Sequence, residues 1–148
     1  MIQISSQFDG GNIVVLDDSN PTDIQLAISR DNESEFYQWF YFRITGAKGE
    51  SCRFKIINAQ GAAYPKGWEN YQAVCSVDGR FWRRIDTNYA NGVLEIACTP
   101  DTDVVYIAYF APYSQERHAS LIGRMLQNEN VRLEMLGKTI DGRDMDLL

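Results

Sequence analysis

One histidine, His118, and three cysteines, Cys52, Cys75 and Cys98, are all that the 148 residues offer as soft metal ligands. A zinc site built within the chain would need several of these four to converge, and no C-x-x-C pair brings two together. The cysteines are odd in number and widely spaced, so they read as small buried residues on strands. No phosphate loop and no dinucleotide fingerprint occurs. No G-x-S-x-G elbow supplies a nucleophile for His118, although its place beside Arg117 near a helix start would suit a neutral base. Asp17-Asp18 and Asp101-Thr102-Asp103 lack the remaining positions of a calcium loop and read as solvated turn acids. No apolar run approaches the roughly 20 residues of a membrane span. Met1–Gly10 has no basic region followed by an apolar stretch, so there is no signal peptide, and a cytoplasmic location is the default expectation. The basic residues form no stripe and the net charge is −6, which disfavours nucleic acid and anionic membrane as partners.

What is present suits a folded core. Hydrophobic residues make up 45% and aromatics 12%, too many for a disordered tail. The first ~110 residues read as short strands separated by turns. Asn12–Leu16 is an apolar run after Asp9-Gly10-Gly11. Asp23–Ser29 alternates, with Ile24, Leu26 and Ile28 on one face. Phe36–Thr45 is the strongest strand, and Gly46-Ala47-Lys48-Gly49 suggests a hairpin loop to Arg53–Asn58. Gly61–Asn70 has no period and reads as a loop. Tyr71–Val77 and Arg80–Ile85 flank the hairpin signal Asp78-Gly79. Asn91-Gly92 introduces Val93–Cys98, and Val104–Phe110 is the last of the series. This spacing predicts an antiparallel β-sandwich over 1–110.

The character changes at Ala111-Pro112-Tyr113, giving expected domains of 1–111 and 112–148. Ser114 is a good N-cap with Glu116 in the first turn, and Leu121, Ile122, Met125 and Leu126 form one apolar stripe. The helix should end near Asn128 or Asn130. Val131–Leu136 and Asp144–Leu148 then make a hairpin about Asp141-Gly142-Arg143. Its second strand stops at Leu148, and a natural domain rarely ends inside a strand, so the chain reads as a fragment.

Phe36–Thr45 departs from an ordinary sandwich strand, which has one apolar and one polar face. Phe36, Phe40, Phe42 and Ile44 share one face, while Tyr37, Trp39, Tyr41 and Arg43 share the other. Strand propensity with wet polar tips is one explanation. A covered interface is the other. Tyr37, Trp39 and Tyr41, with the helix stripe Leu121, Ile122, Met125 and Leu126, are the candidate interdomain interface. A separate reading makes the chain a stand-alone binding module for carbohydrate or protein, with Trp39, Trp68 or Trp82 stacking on sugars. A third makes the aromatic face a self-association surface.

Phe36-Tyr37-Gln38-Trp39-Phe40-Tyr41-Phe42, followed by Arg53-Phe54-Lys55-Ile56-Ile57-Asn58, resembles the amino-terminal β domain of cytosolic-type zinc metallocarboxypeptidases. So does Ser76-Val77-Asp78-Gly79-Arg80-Phe81-Trp82-Arg83-Arg84. Tyr106–Ser114 with Glu116-Arg117-His118 resembles the junction into the catalytic domain. Leu136–Asp144 is similar to the L-G-x-S-x-x-G-R hairpin that opens that α/β carboxypeptidase fold, with Thr139 where serine is usual. The resemblance implies a parent enzyme that removes C-terminal residues from peptides or proteins. Its zinc would be bound by a His-x-x-Glu pair and a later histidine. No His-x-x-Glu is present, because Leu121 lies three residues after His118. The zinc ligands and general base are therefore expected after Leu148. This piece alone should bind no metal and be inactive, with its own catalytic domain as partner. Arg143 is expected to be structural.

Overall fold

In the computed structural model, which describes all 148 residues, the chain divides into two compact units. The first comprises Met1–Asp31 and Glu35–Pro112, and the second Asn32–Ser34 and Tyr113–Leu148.

The first unit contains ten strands: β1 (Gln3–Ser5), β2 (Val14–Asp17), β3 (Ile24–Ala27), β4 (Tyr41–Thr45), β5 (Cys52–Ile56), β6 (Val74–Ser76), β7 (Arg83–Arg84), β8 (Thr87–Ala90), β9 (Val93–Cys98) and β10 (Val104–Ala108). They form two five-stranded sheets, ordered β1-β4-β10-β6-β7 and β2-β3-β5-β9-β8. Alternating apolar residues point inward from both sheets into one core. Ile24, Leu26, Phe54, Ile56, Leu94 and Ile96 meet Phe40, Phe42, Ile44 and Ile107, with Phe42 and Phe54 in contact across the sandwich at 5.6 Å. Every strand pair is antiparallel except β3 with β5, which run parallel from Ile24/Phe54 to Leu26/Ile56.

Three local expectations differ from the structure. First, Phe36–Phe40 joins no ladder, because its carbonyls accept from scattered donors. Asp31 N donates to Phe36, Ala63 N to Tyr37, Asn12 Nδ2 to Trp39 and Tyr109 N to Phe40. Phe36, expected on the core face, is 68% exposed, whereas Phe40, Phe42 and Ile44 are buried. Second, Gly46–Gly49 is no hairpin loop. It carries the chain from β4 in one sheet to β5 in the other. Gly46 has φ +71, and a Cβ there would lie 2.4 Å from the Met1 carbonyl, so both backbone and space require glycine. Third, Asp78-Gly79 is no two-residue turn. Only Gly79 has positive φ, and β6 and β7 are separated by residues 77–82. The Asp78 carboxylate accepts from Phe81 N (3.0 Å) and Arg80 N (2.8 Å), and these bonds hold it below the usual carboxylate range. By contrast, Asn91 and Gly92, at φ 52 and 82, make the tight turn between β8 and β9.

In the second unit, α1 spans Gln115–Met125, and Ser114 Oγ caps it by accepting from Arg117 N. The strands β11 (Glu134–Lys138) and β12 (Asp144–Leu147) form the hairpin. Thr139 closes its turn. Its N–H donates to Arg143 O (2.8 Å), its carbonyl accepts from Gly142 N, and its hydroxyl accepts from Arg143 N (3.1 Å). Threonine thus keeps the hydroxyl contact that a serine would make. No helix is long and apolar enough to cross a membrane.

Candidate functional site

Two surfaces carry the residues singled out by sequence. On the first sheet, Tyr41 and Arg43 of β4 point away from the core, as do Tyr106 of β10 and Arg84 of β7 by register. An aromatic network covers this outer face. Phe8 meets Tyr41 at 4.8 Å and Tyr106 at 5.9 Å, Trp82 meets Tyr41 at 5.9 Å, and Trp39 meets Phe110 at 4.9 Å and Tyr41 at 6.1 Å. The rings come from the segment after β1, the segment before β4, the β6–β7 loop and the residues after β10. Each indole N–H is held by its own chain: Trp39 Nε1 donates to Gly10 O at 2.7 Å, and Trp82 Nε1 to Gly79 O at 3.1 Å.

This network covers part of the expected interface. Tyr41 is only 9% exposed, under Phe8 and Trp82, and its burial raises the phenol above its usual pKa. Tyr37 packs against the core and donates its hydroxyl to Asn58 O at 2.8 Å. The chain therefore covers much of its own second aromatic face. Trp39 remains half-exposed, and Phe110 is 57% exposed at the network's end. Sequence reasoning missed Phe8, Tyr106 and Phe110, because strand register places Tyr106 there and Phe8 and Phe110 arrive from segments outside the strands. Trp68 is buried and donates to Ala59 O at 2.9 Å, so it offers no sugar platform.

The second surface belongs to the second unit, where no residue is buried. Leu121, Met125 and Leu126 of the stripe are exposed and Ile122 is half-buried. Met135, Leu136, Ile140, Met145 and Leu147 of the hairpin are exposed as well. His118 Nε2 lies 3.2 Å from Asp146 Oδ2, linking α1 to β12, with the Tyr113 ring at 6.2 Å. No nucleophile stands at this pair.

The three cysteines are buried and free. Cys52 and Cys98 are direct cross-strand partners, while Cys75 and Cys98 line a cleft of about 230 Å³ with Phe81, Trp82 and Arg83. Burial raises all three thiols, with Cys98 pushed up to about 11 by burial and by the neighbouring Cys75. Such thiols are poor nucleophiles. No three His, Cys, Asp or Glu side chains are grouped to hold a metal ion, so the residues of this chain do not fit the zinc centre implied by the resemblance.

Against known proteins, residues 4–110 match the family model of the cytosolic carboxypeptidase N-terminal domain. The chain belongs to this family. An uncharacterized protein of Zymomonas mobilis is 50% identical over 148 residues, covering 99% of this chain and 38% of that protein. The solved metallo-carboxypeptidase from Burkholderia cenocepacia superposes with a TM-score of 0.94 at 44% identity, covering 99% of this chain and 39% of that one. The metallo-carboxypeptidase from Pseudomonas aeruginosa, in complex with (2-guanidinoethylmercapto)succinic acid, gives 0.90 at 42% identity, covering 97% and 39%. The chain thus spans less than two-fifths of the length of these relatives.

Proposed function

We propose that this family member is the amino-terminal accessory portion of a zinc-dependent metallocarboxypeptidase that removes C-terminal residues from peptides or proteins in the cytoplasm. The β-sandwich supports a catalytic module that follows Leu148 in the whole protein and shapes access to its cleft. The second unit begins that module. The observation that carries this reading is the absence of any buried residue in the second unit, despite its apolar helix stripe and hairpin. Each large apolar side chain gains about 1.5–3 kcal/mol on full burial, and the helix and hairpin collect none of that gain in full. A covering surface would supply that gain, and Leu121, Ile122, Met125 and Leu126 are the proposed contacts of the catalytic module.

Zinc would be held by residues of the catalytic module, where it would polarise a peptide carbonyl and activate water. The residues of this chain bind, support and orient. The test is direct. The 148-residue chain, incubated with zinc and peptides bearing free C-termini, should show no turnover. The whole protein should release C-terminal residues, and a chelator should stop it. Chelator-sensitive release by the 148-residue chain alone would overturn the proposal.

A further inference from the structure

The cleft of about 230 Å³ between the two sheets has apolar walls and one charge of each sign among its lining residues, Arg83 and Asp101. Cys75 of β6 and Val105 of β10 come from the first sheet and Cys98 of β9 from the second, and all three are buried. Trp82 lines it from the β6–β7 connection. That connection is braced by its own hydrogen bonds. Ser76 Oγ accepts from Gly79 N at 2.9 Å, Asp78 Oδ1 from Arg80 N and Phe81 N, and Gly79 O from the Trp82 indole. The cleft is therefore largely formed before any ligand arrives. Arg83 lies directly across from Cys75 in the β6–β7 ladder, so its side chain leaves the sheet on the cleft side. Asp101 follows Pro100, whose carbonyl accepts from Gly49 N at 2.8 Å. Arg83 and Asp101 are exposed and form no ion pair with each other. Burial raises the Cys75 and Cys98 thiols most, but Arg83 pulls both down and Asp101 pushes both up, so the two charges act on the same cleft floor.

We propose that this cleft binds a free α-amino acid with an apolar side chain, its carboxylate on Arg83, its ammonium on Asp101 and its side chain against Cys75, Cys98, Val105 and Trp82. The volume lies below the roughly 300–1,000 Å³ of drug-sized sites, so the occupant is small. A guanidinium takes a carboxylate in a planar fork, which fixes that end of the ligand. A simple apolar anion would satisfy Arg83 and set a like charge beside Asp101, and a simple apolar amine would do the reverse. An apolar side chain from elsewhere in the parent protein has its nitrogen and carbonyl in peptide bonds, so it would fill the cleft and answer neither charge. A zwitterion with an apolar body answers both. Free amino acids are also what the proposed parent reaction releases, and that link alone rests on the carboxypeptidase reading.

The 148-residue chain is titrated with L-phenylalanine by calorimetry. The expected result is saturable binding with a Kd of about 1 mM or below. N-acetyl-L-phenylalanine and L-phenylalaninamide keep the side chain and lose one charge each, and each should bind about tenfold more weakly. Arg83→Gln should weaken phenylalanine about tenfold and leave the amide unchanged, while Asp101→Asn should weaken phenylalanine and leave the N-acetyl compound unchanged. Both positions are exposed, and circular dichroism establishes that each variant is folded. Independently, phenylalanine should slow iodoacetamide alkylation of Cys75 and Cys98, which line the cleft, and not of Cys52, which does not. The same protection is expected in the whole protein with chelator present. No binding at millimolar phenylalanine, equal binding of either blocked compound, unchanged affinity in both variants, or protection that extends equally to Cys52 would overturn the proposal. Loss of protection in the whole protein would assign the cleft to the rest of the parent and overturn it too. None of these outcomes bears on the carboxypeptidase reading, which is tested by turnover.

Discussion

Asn58 is the side chain whose removal should cost most for its size. The parallel pairing of β3 with β5 ends at Leu26/Ile56, after which Ile57 N donates to Leu26 O at 3.0 Å. The Asn58 amide then takes over the role of a strand. Its Oδ1 accepts from Ile28 N at 3.0 Å, and its Nδ2 donates to Ile28 O at 2.9 Å. Ile28 is buried, so Asn58→Ala leaves a donor and an acceptor without partners. Each orphaned group costs about 1–3 kcal/mol, giving about 2–6 kcal/mol for the pair. Water entering the space left by the amide recovers part of that. The expected loss is therefore about 3 kcal/mol. In urea, with a slope of about 1–3 kcal/mol/M, the midpoint should fall by about 1–3 M at unchanged slope. Asn88→Ala, at an exposed position of β8, is the control and should stay within about 0.5 kcal/mol. A loss below about 1 kcal/mol for Asn58→Ala would refute the idea that its amide substitutes for a strand.

Alkaline pH should destabilise the first unit through its thiols. Cys98 has a folded pKa of about 11 against an ordinary 9.0, so the unfolded chain loses its proton first and stability drains away between these values. The loss from Cys98 should be about 1–2 kcal/mol after solvent screening, and Cys98→Ala should flatten that part of the pH–stability curve. Ellman's reagent should label the native cysteines slowly and all three rapidly in urea, and fast native labelling would contradict their burial. In the second unit, Ser114→Ala removes the cap on Arg117 N and should lower the helical circular dichroism signal, at a cost of about 1 kcal/mol, without moving the urea midpoint of the sandwich.

Some of this fold is legible in the residues alone. The alternation of Ile24, Leu26 and Ile28 marks a core face, and all three are buried. Ser114 and Glu116 mark a helix start, and α1 begins there. Other features depend on contacts between distant segments. Strand propensity cannot tell that Phe36–Phe40 will be bound by several different segments rather than by one ladder. Nor can the glycines at 46 and 49 show that β4 and β5 lie in opposite sheets, since a turn signal fixes backbone direction and not the neighbour. The paired aromatic faces around Trp39 are visible in sequence, but what covers them is not. Phe8 and Trp82, which cover Tyr41, lie 33 and 41 residues from it in sequence, in segments outside the strands. The candidate interface therefore divided, with Tyr37 packing against the core and Tyr41 covered on the outer face by Phe8 and Trp82.

Residue-resolved hydrogen exchange on the 148-residue chain, shown to be monomeric by sedimentation, distinguishes a self-sufficient second unit from one that lacks its partner surface. Protection should concentrate in β4, β5, β9 and β10, whose side chains form the core, while amides of α1 exchange orders of magnitude faster for want of a covering surface. If residues 115–125 were as well protected as 41–45 and 104–108 in that monomer, the second unit would be a self-sufficient structure. The account of this chain as the supporting portion of a larger carboxypeptidase would then be contradicted.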